Sequence, residues 1–261
     1  MNHDVHHFDM GLWLLFLAYI VSVTGSVVGL ACTRLSAAAS NERDRLRWLA
    51  MASIAIGGVG IWLMHFIAML GFAIPNSAVR YHLGWTVASA VLSISAVFVG
   101  LITIGRTVDV RRLIAGGVIT GVAVALMHYT GMWAMQFQGA ISYQKGLVAL
   151  SILIAVVAAT AALWFTLVLE SPVLRFVAGL VMGVAVVGMH YTGMAAVRVN
   201  VDHAVPVPDG PEVFSFLFPV FVIGLLALAV PITSVMLASD RGATESGPTA
   251  QPLAASGGRH R

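Results

Sequence analysis

The chain is dominated by long apolar stretches that short polar segments separate. Seven stretches contain no Asp, Glu or Lys: 11–31, 48–73, 83–105, 113–136, 147–169, 175–197 and 214–238. Each is long enough to cross a bilayer as a helix, which takes about 20 residues. Only helices and closed barrels satisfy the backbone in lipid, and barrel strands alternate apolar and polar residues, which these stretches do not. The pattern predicts an all-α polytopic bundle of seven transmembrane helices, with the lipid bilayer as its surroundings.

Composition and charge agree with a membrane protein and set its orientation. The chain is 59% hydrophobic and 10% charged, whereas soluble domains carry about 25% charged residues. Eleven of the 14 basic residues lie on one side of the predicted bundle: Arg34, Arg43, Arg45, Arg47, Arg106, Arg111, Arg112, Arg175, Arg241, Arg259 and Arg261. Basic residues favour the cytoplasmic side. We therefore predict an N-terminus outside and a C-terminus in the cytoplasm, and the net charge of +3 requires no nucleic-acid partner.

The ends of the chain differ from its apolar centre. Residues 1–10 contain no Lys or Arg, so they lack the basic segment of a secretory signal and are predicted to be a short extracytoplasmic N-terminus. Residues 198–238 are predicted to form an outer loop and the seventh helix. Residues 239–261 are rich in Gly, Ala, Ser, Thr and Pro and are predicted to be a disordered cytoplasmic tail. The chain holds no catalytic motif in a supporting context, which predicts no enzyme activity.

A short motif occurs three times within the apolar stretches. It reads MHFIAM at 64–69, MHYTGM at 127–132 and MHYTGM at 189–194, so histidines 65, 128 and 190 are 63 and 62 residues apart. Constant spacing indicates an internal repeat. The motif falls on every second, outward-running helix, which divides residues 11–197 into three helix hairpins and leaves the seventh helix outside the repeat. Three units in one orientation suggest a pseudo-threefold, circular arrangement.

The charge pattern also sets the depth of the histidines. His65, His128 and His190 follow the arginines that begin their helices by 15 to 18 residues. At about 1.5 Å per residue this is roughly 22–27 Å in a hydrocarbon core about 30 Å thick. All three are therefore predicted to lie at one level in the outer third of the membrane.

The motif combines side chains that bind soft metal ions. Residues i and i+4 share a helix face, so each histidine and the methionine that follows it point the same way. Imidazole suits copper and iron, and thioether favours Cu(I). The second ring nitrogen of each histidine needs a partner, for which the candidates are Tyr129, Thr130, Tyr191 and Thr192. A glycine seven residues before each histidine (Gly58, Gly121, Gly183) predicts close helix contact.

Several functions fit these residues. A metal-binding sensor with no catalytic activity is the preferred interpretation. A copper transport or delivery protein is an alternative, in which histidines on the outer side would collect the metal: His3, His6, His7, His82 and His203. Haem ligation by two motif histidines, giving a membrane redox protein, is another. A purely structural role for the motif also remains open.

The three motifs over residues 8–197 resemble the MHYT domain, a sensory module of the bacterial cytoplasmic membrane. The resemblance implies a signal-transduction function in which copper, bound by the motif, detects O₂, CO or NO. Its metal ligands would be Met64, His65, Met69, Met127, His128, Met132, Met189, His190 and Met194. Many members carry cyclic-di-GMP or kinase domains after the membrane part. The resemblance therefore also implies a separate cytoplasmic signalling protein as a partner of this chain.

Overall fold

Seven long helices make up the described part of the molecule. The computed structural model describes residues 11–74 and 77–245. The helices are α1 (Trp13–Ala38), α2 (Glu42–Met69), α3 (Leu83–Ile104), α4 (Val110–Ala134), α5 (Lys145–Val168), α6 (Pro172–Ala195) and α7 (Val213–Glu245). Each contains a segment long and apolar enough to cross a membrane, which confirms the predicted all-α multi-pass bundle. Helix α7 continues past residue 238 to Glu245, so the predicted tail begins with helix. Residues 1–10 and 246–261 lie outside the described part.

The first six helices close into a ring. Each packs against the next along the chain, and α6 packs against α1. Helix α7 stands outside this ring, where it contacts α2 and α1. The circular packing of three hairpins with a separate seventh helix is the arrangement that the repeat predicts.

Short β-ribbons join the connections at one end of the ring. Strand β1 (Arg80–Tyr81) pairs antiparallel with β2 (Met135–Gln136), and β3 (Gly139–Tyr143) pairs antiparallel with β4 (Val197–Val201). Each ribbon links the segment before one helix to the segment after the next motif helix, so both follow the same repeat. We call this the ribbon end of the bundle. The opposite end, which holds Arg45, Arg106 and Arg175, is the arginine end.

Helix α2 differs from the other two motif helices. Its middle, Ile54–Leu63, is π-helical and leads directly into the first motif. A π-turn holds more residues than an α-turn, so the expected close contact moves by one position. A Cβ on Gly57 would lie 2.7 Å from the Ser93 carbonyl oxygen of α3, whereas one on Gly58 would meet side chains only, the nearest being that of Ile94 at 3.4 Å. The prediction for Gly58 was therefore wrong, and Gly57 is the contact residue.

The corresponding glycines of α4 and α6 behave as predicted. Gly121 lies directly against the Val156 backbone of α5, and a Cβ on Gly183 would lie 2.6 Å from the Val23 side chain of α1. Such contacts bring neighbouring backbones close together, as small residues do in membrane bundles. They place α2, α4 and α6 at fixed rotations in the ring, with their histidines toward its axis.

Candidate metal centre

The three motif histidines meet on the axis of the ring near the ribbon end. His65, His128 and His190 are each 1% exposed. The Nδ1 atom of His65 lies 3.0 Å from Nδ1 of His190 and 3.3 Å from Nδ1 of His128. One ring nitrogen from each residue lies within 4.8 Å of the other two. The prediction that the three histidines share one level is confirmed. The structure also shows that their rings form a single cluster, which the sequence did not predict.

This cluster fits a metal ion by its nitrogen spacing. Three nitrogens each about 2.0 Å from one ion lie roughly 3.3–3.5 Å apart in tetrahedral or trigonal geometry. The two Nδ1 distances, 3.0 and 3.3 Å, need only small adjustment to reach that spacing. Within the described residues, no other group of three His, Cys, Asp or Glu side chains converges in this way. The donor set is all imidazole, which copper accepts readily.

Hydrogen bonds among the three rings do not give every ring nitrogen a good partner. His65 Nδ1 lies against two other Nδ1 atoms, and a single N–H can serve only one of these contacts well. The Nε2 atoms of His65 and His128 are buried and have no hydrogen-bond partner among the described residues. Buried polar atoms without partners are costly and call for an explanation. An ion at the Nδ1 atoms would use all three lone pairs and hold the proton of each ring on Nε2. It would satisfy the Nδ1 atoms only, and the Nε2–H groups of His65 and His128 would still have no acceptor among the described residues.

Glycines of the neighbouring motifs hold two of these rings in place. A Cβ on Gly131 would lie 2.5 Å from Nε2 of His65, and a Cβ on Gly193 would lie 2.5 Å from Nε2 of His128. Real Cβ atoms essentially never come this close, so each histidine packs against the glycine of the next motif helix. These two contacts cannot be predicted from the motif alone, because they depend on which helices are neighbours in the ring.

An aromatic ring flanks each histidine along its own helix. Ring centroids are 4.9 Å apart for His65 and Phe66, 4.9 Å for His128 and Tyr129, and 5.0 Å for His190 and Tyr191, all edge to face. Phe66 makes this contact as well as tyrosine does. The conserved feature of the three copies is therefore the ring, and the hydroxyl serves other contacts.

The six motif methionines are buried around the histidines. Four of them belong to an apolar cluster that includes Phe72, Tyr81 and Phe137: Met64, Met69, Met132 and Met194. Met127 and Met189 belong to a second apolar cluster. The histidines therefore lie among apolar side chains. The thioethers line the site, and their role as ligands stays a prediction.

Two of the four predicted partners of the second ring nitrogens make other hydrogen bonds. The Tyr129 hydroxyl pairs with the Ser151 hydroxyl at 2.8 Å, and Thr192 donates to the Gly188 carbonyl oxygen at 2.7 Å within its own helix. His82, one of the predicted collecting residues, accepts a hydrogen bond from the Trp85 backbone N–H at the start of α3. It therefore acts as a helix cap.

Comparison with known proteins gives the same answer as the motif. A family model described as MHYT, bacterial signalling protein N terminal repeat, matches residues 58–117, 121–179 and 183–243. The chain is 43% identical over 162 residues to the bifunctional diguanylate cyclase/cyclic di-GMP phosphodiesterase MucR of Pseudomonas aeruginosa, covering 60% of this chain and 23% of that protein. It is 33% identical over 224 residues to the signaling protein YkoW of Bacillus subtilis, covering 83% and 27%.

A third relative is matched over a similar share of its length. The cyclic di-GMP phosphodiesterase NbdA of Pseudomonas aeruginosa is 34% identical over 171 residues, which are 61% of this chain and 21% of that protein. The chain thus spans about a quarter of the length of these relatives. No solved structure matches it.

The matched segments also show how the family divides its repeat. Each begins inside a motif helix and continues through the helix that follows, so α7 falls in the third segment although it lies outside the ring. The three segments cover most of the residues from 58 to 243 and contain all three histidines of the cluster. The chain belongs to the MHYT family of bacterial signalling proteins.

Proposed function

We propose that this chain is a membrane sensor that binds one copper ion through His65, His128 and His190 and responds to a diatomic gas or to redox state. The observation that carries the proposal is the convergence of three Nδ1 atoms, two pairs of which lie 3.0 and 3.3 Å apart. Copper bound there would supply a redox-active centre that takes small gases as ligands. The protein would supply three neutral nitrogens, exclude water because the three rings are buried, and fix the ring orientations.

The motif methionines would tune the centre. Met69, Met132 and Met194 lie one turn beyond the three histidines on the same helices, and all three are at most 2% exposed. Buried thioethers favour Cu(I) over Cu(II). A reduced ion in an apolar setting is the form that binds CO and O₂.

Signal output would pass through the arginine end. Arg34, Arg45 and Arg106 lie at this end, and basic residues favour the cytoplasmic side. On this basis the arginine end would face the cytoplasm, and the ribbon end and the metal centre would face outside. The relatives bear names that describe synthesis or hydrolysis of cyclic di-GMP. We propose that a cytoplasmic signalling protein receives the signal from this chain by contact with its arginine end.

Metal analysis of purified protein tests the proposal. We expect about one copper ion per chain in the native protein and none when His65, His128 and His190 are all changed to Ala. His203→Ala is the matched control, because His203 is exposed and does not belong to the cluster, and this variant should keep the copper. Cys32 is the single cysteine and is buried, so a thiol-reactive dye reports whether each variant is folded. Copper content that survives the triple substitution would overturn the proposal.

The other two candidate functions receive less support. The three histidine rings touch one another, with centroids 5.0 to 5.2 Å apart, and a porphyrin does not fit between rings in contact. A transport path would need further ligands along the axis. The cavity that follows the histidines toward the arginine end is lined almost wholly by aliphatic side chains. An optical spectrum without a Soret band and unchanged cellular copper on deletion would agree with the sensor.

A further inference from the structure

A small apolar cavity lies inside the ring between the histidine cluster and the arginine end. Its volume is about 60 Å³. Five of the six ring helices contribute to its wall, and the only polar side chains in that wall are Thr120 and Thr166. Thr120 donates to the Ala96 carbonyl oxygen and Thr166 to the Leu163 carbonyl oxygen. Both hydroxyls are therefore satisfied by the backbone, and the cavity offers no free polar group from them.

The wall of the cavity extends from the histidines toward the arginine end. Met189, which directly precedes His190, forms part of its wall. At its far side the cavity shares Leu101 and Thr166 with a second, polar cavity at the arginine end. That polar cavity is lined by the charged residues Arg34, Arg45, Arg106 and Glu170. The apolar cavity thus lies between this polar cavity and the histidines.

Its size and lining decide what it can hold. A site needs about 10–15 Å³ to hold one water-sized sphere, and apolar cavities stay dry and take up xenon. A volume of about 60 Å³ therefore has room for a diatomic molecule or a xenon atom. Benzene occupies an engineered cavity of roughly 150 Å³, so an aromatic ring or a lipid chain is too large. An ion would lose its hydration without gaining ligands.

We propose that this cavity is a binding site for an uncharged diatomic gas, separate from the metal centre. The site holds the gas beside Met189 and raises its local concentration next to the histidines. Binding in the cavity depends only on size and polarity and does not require the metal. Its value for sensing rests on the proposed function, since the gas would pass from the cavity to the copper.

Xenon is the probe that tests the cavity directly. We expect the native protein in lipid nanodiscs to show saturable ¹²⁹Xe exchange by NMR beyond that of empty nanodiscs. Val124→Phe fills the cavity, because Val124 lies in its wall on α4, and should abolish this exchange. Val122→Phe is the matched control, because Val122 lies on the same helix and faces outward with 40% exposure, and it should leave the exchange unchanged.

Two further measurements separate the cavity from the metal centre. Val97→Ile is a smaller change in the same wall, and it should weaken xenon exchange while the thiol dye shows a folded protein. Val124→Phe should keep its copper and bind CO at that copper more slowly than the native protein. If the native protein shows xenon exchange but binds no copper, the sensor proposal is wrong and the cavity inference still stands. Xenon exchange that is absent from native protein, or equal in native and folded Val124→Phe protein, would overturn the cavity inference.

Discussion

Replacing Gly131 by Ala tests the geometry of the metal centre with the smallest possible change. The new Cβ would lie 2.5 Å from His65 Nε2, and ordinary contact begins at 3.4 Å, so the ring must move by about 1 Å. Overpacking of this kind costs about 1–3 kcal/mol. If this cost falls entirely on metal binding, the affinity for copper decreases roughly 5- to 150-fold. Gly193→Ala should act in the same way through His128.

Competition with a coloured Cu(I) chelator measures the affinity, and the thiol dye at Cys32 measures stability. Gly188→Ala is the control, because Gly188 lies on α6 with open space around it. Alanine there should stabilise the helix by about 0.5–1 kcal/mol and leave copper affinity unchanged. In a His65→Ala background the stability cost of Gly131→Ala should vanish, since the clashing ring is gone. Native copper affinity in folded Gly131→Ala protein, or a stability cost that persists without His65, would refute this packing.

Other substitutions test the surroundings of the site. Tyr129→Phe removes the hydrogen bond to Ser151 and should lower the free energy of unfolding by about 0.5–1.5 kcal/mol. Its copper content should not change, because Phe66 already has the equivalent place in the first motif. Loss of copper would show that the hydroxyl matters. Gly121→Ala should destabilise the protein strongly, because its Cβ would meet the Val156 backbone, whereas Gly58→Ala should be nearly neutral or stabilising. Thermal unfolding compares the two, and equal effects would contradict the π-helical shift in α2.

The sequence determines the helices well because the bilayer leaves few choices. An apolar stretch in lipid must satisfy its backbone internally, so the seven stretches and the seven helices agree closely. The common level of the histidines follows from helix rise and from the arginines at the helix starts. Both predictions depend on local pattern, and neither requires knowledge of which helices touch.

What the sequence did not predict depends on contacts between helices. Gly131 and His65 lie on different helices, and only the order of the ring brings them together. The only sign of the π-helix of α2 in the sequence is the spacing between motif histidines, which is 63 residues for the first pair and 62 for the second. A difference in loop length would explain this spacing equally well. The ribbons are missed because strands of two and five residues carry too little pattern to identify.

Two of the three histidines pack against the glycine of the next motif helix. Helix α4 carries His128 and also Gly131, which contacts His65, while α6 carries His190 and also Gly193, which contacts His128. A rotation of α4 or α6 would therefore disturb two rings at once. Because the three histidine rings are in contact, a change at the axis would act on one helix of each hairpin at the same time.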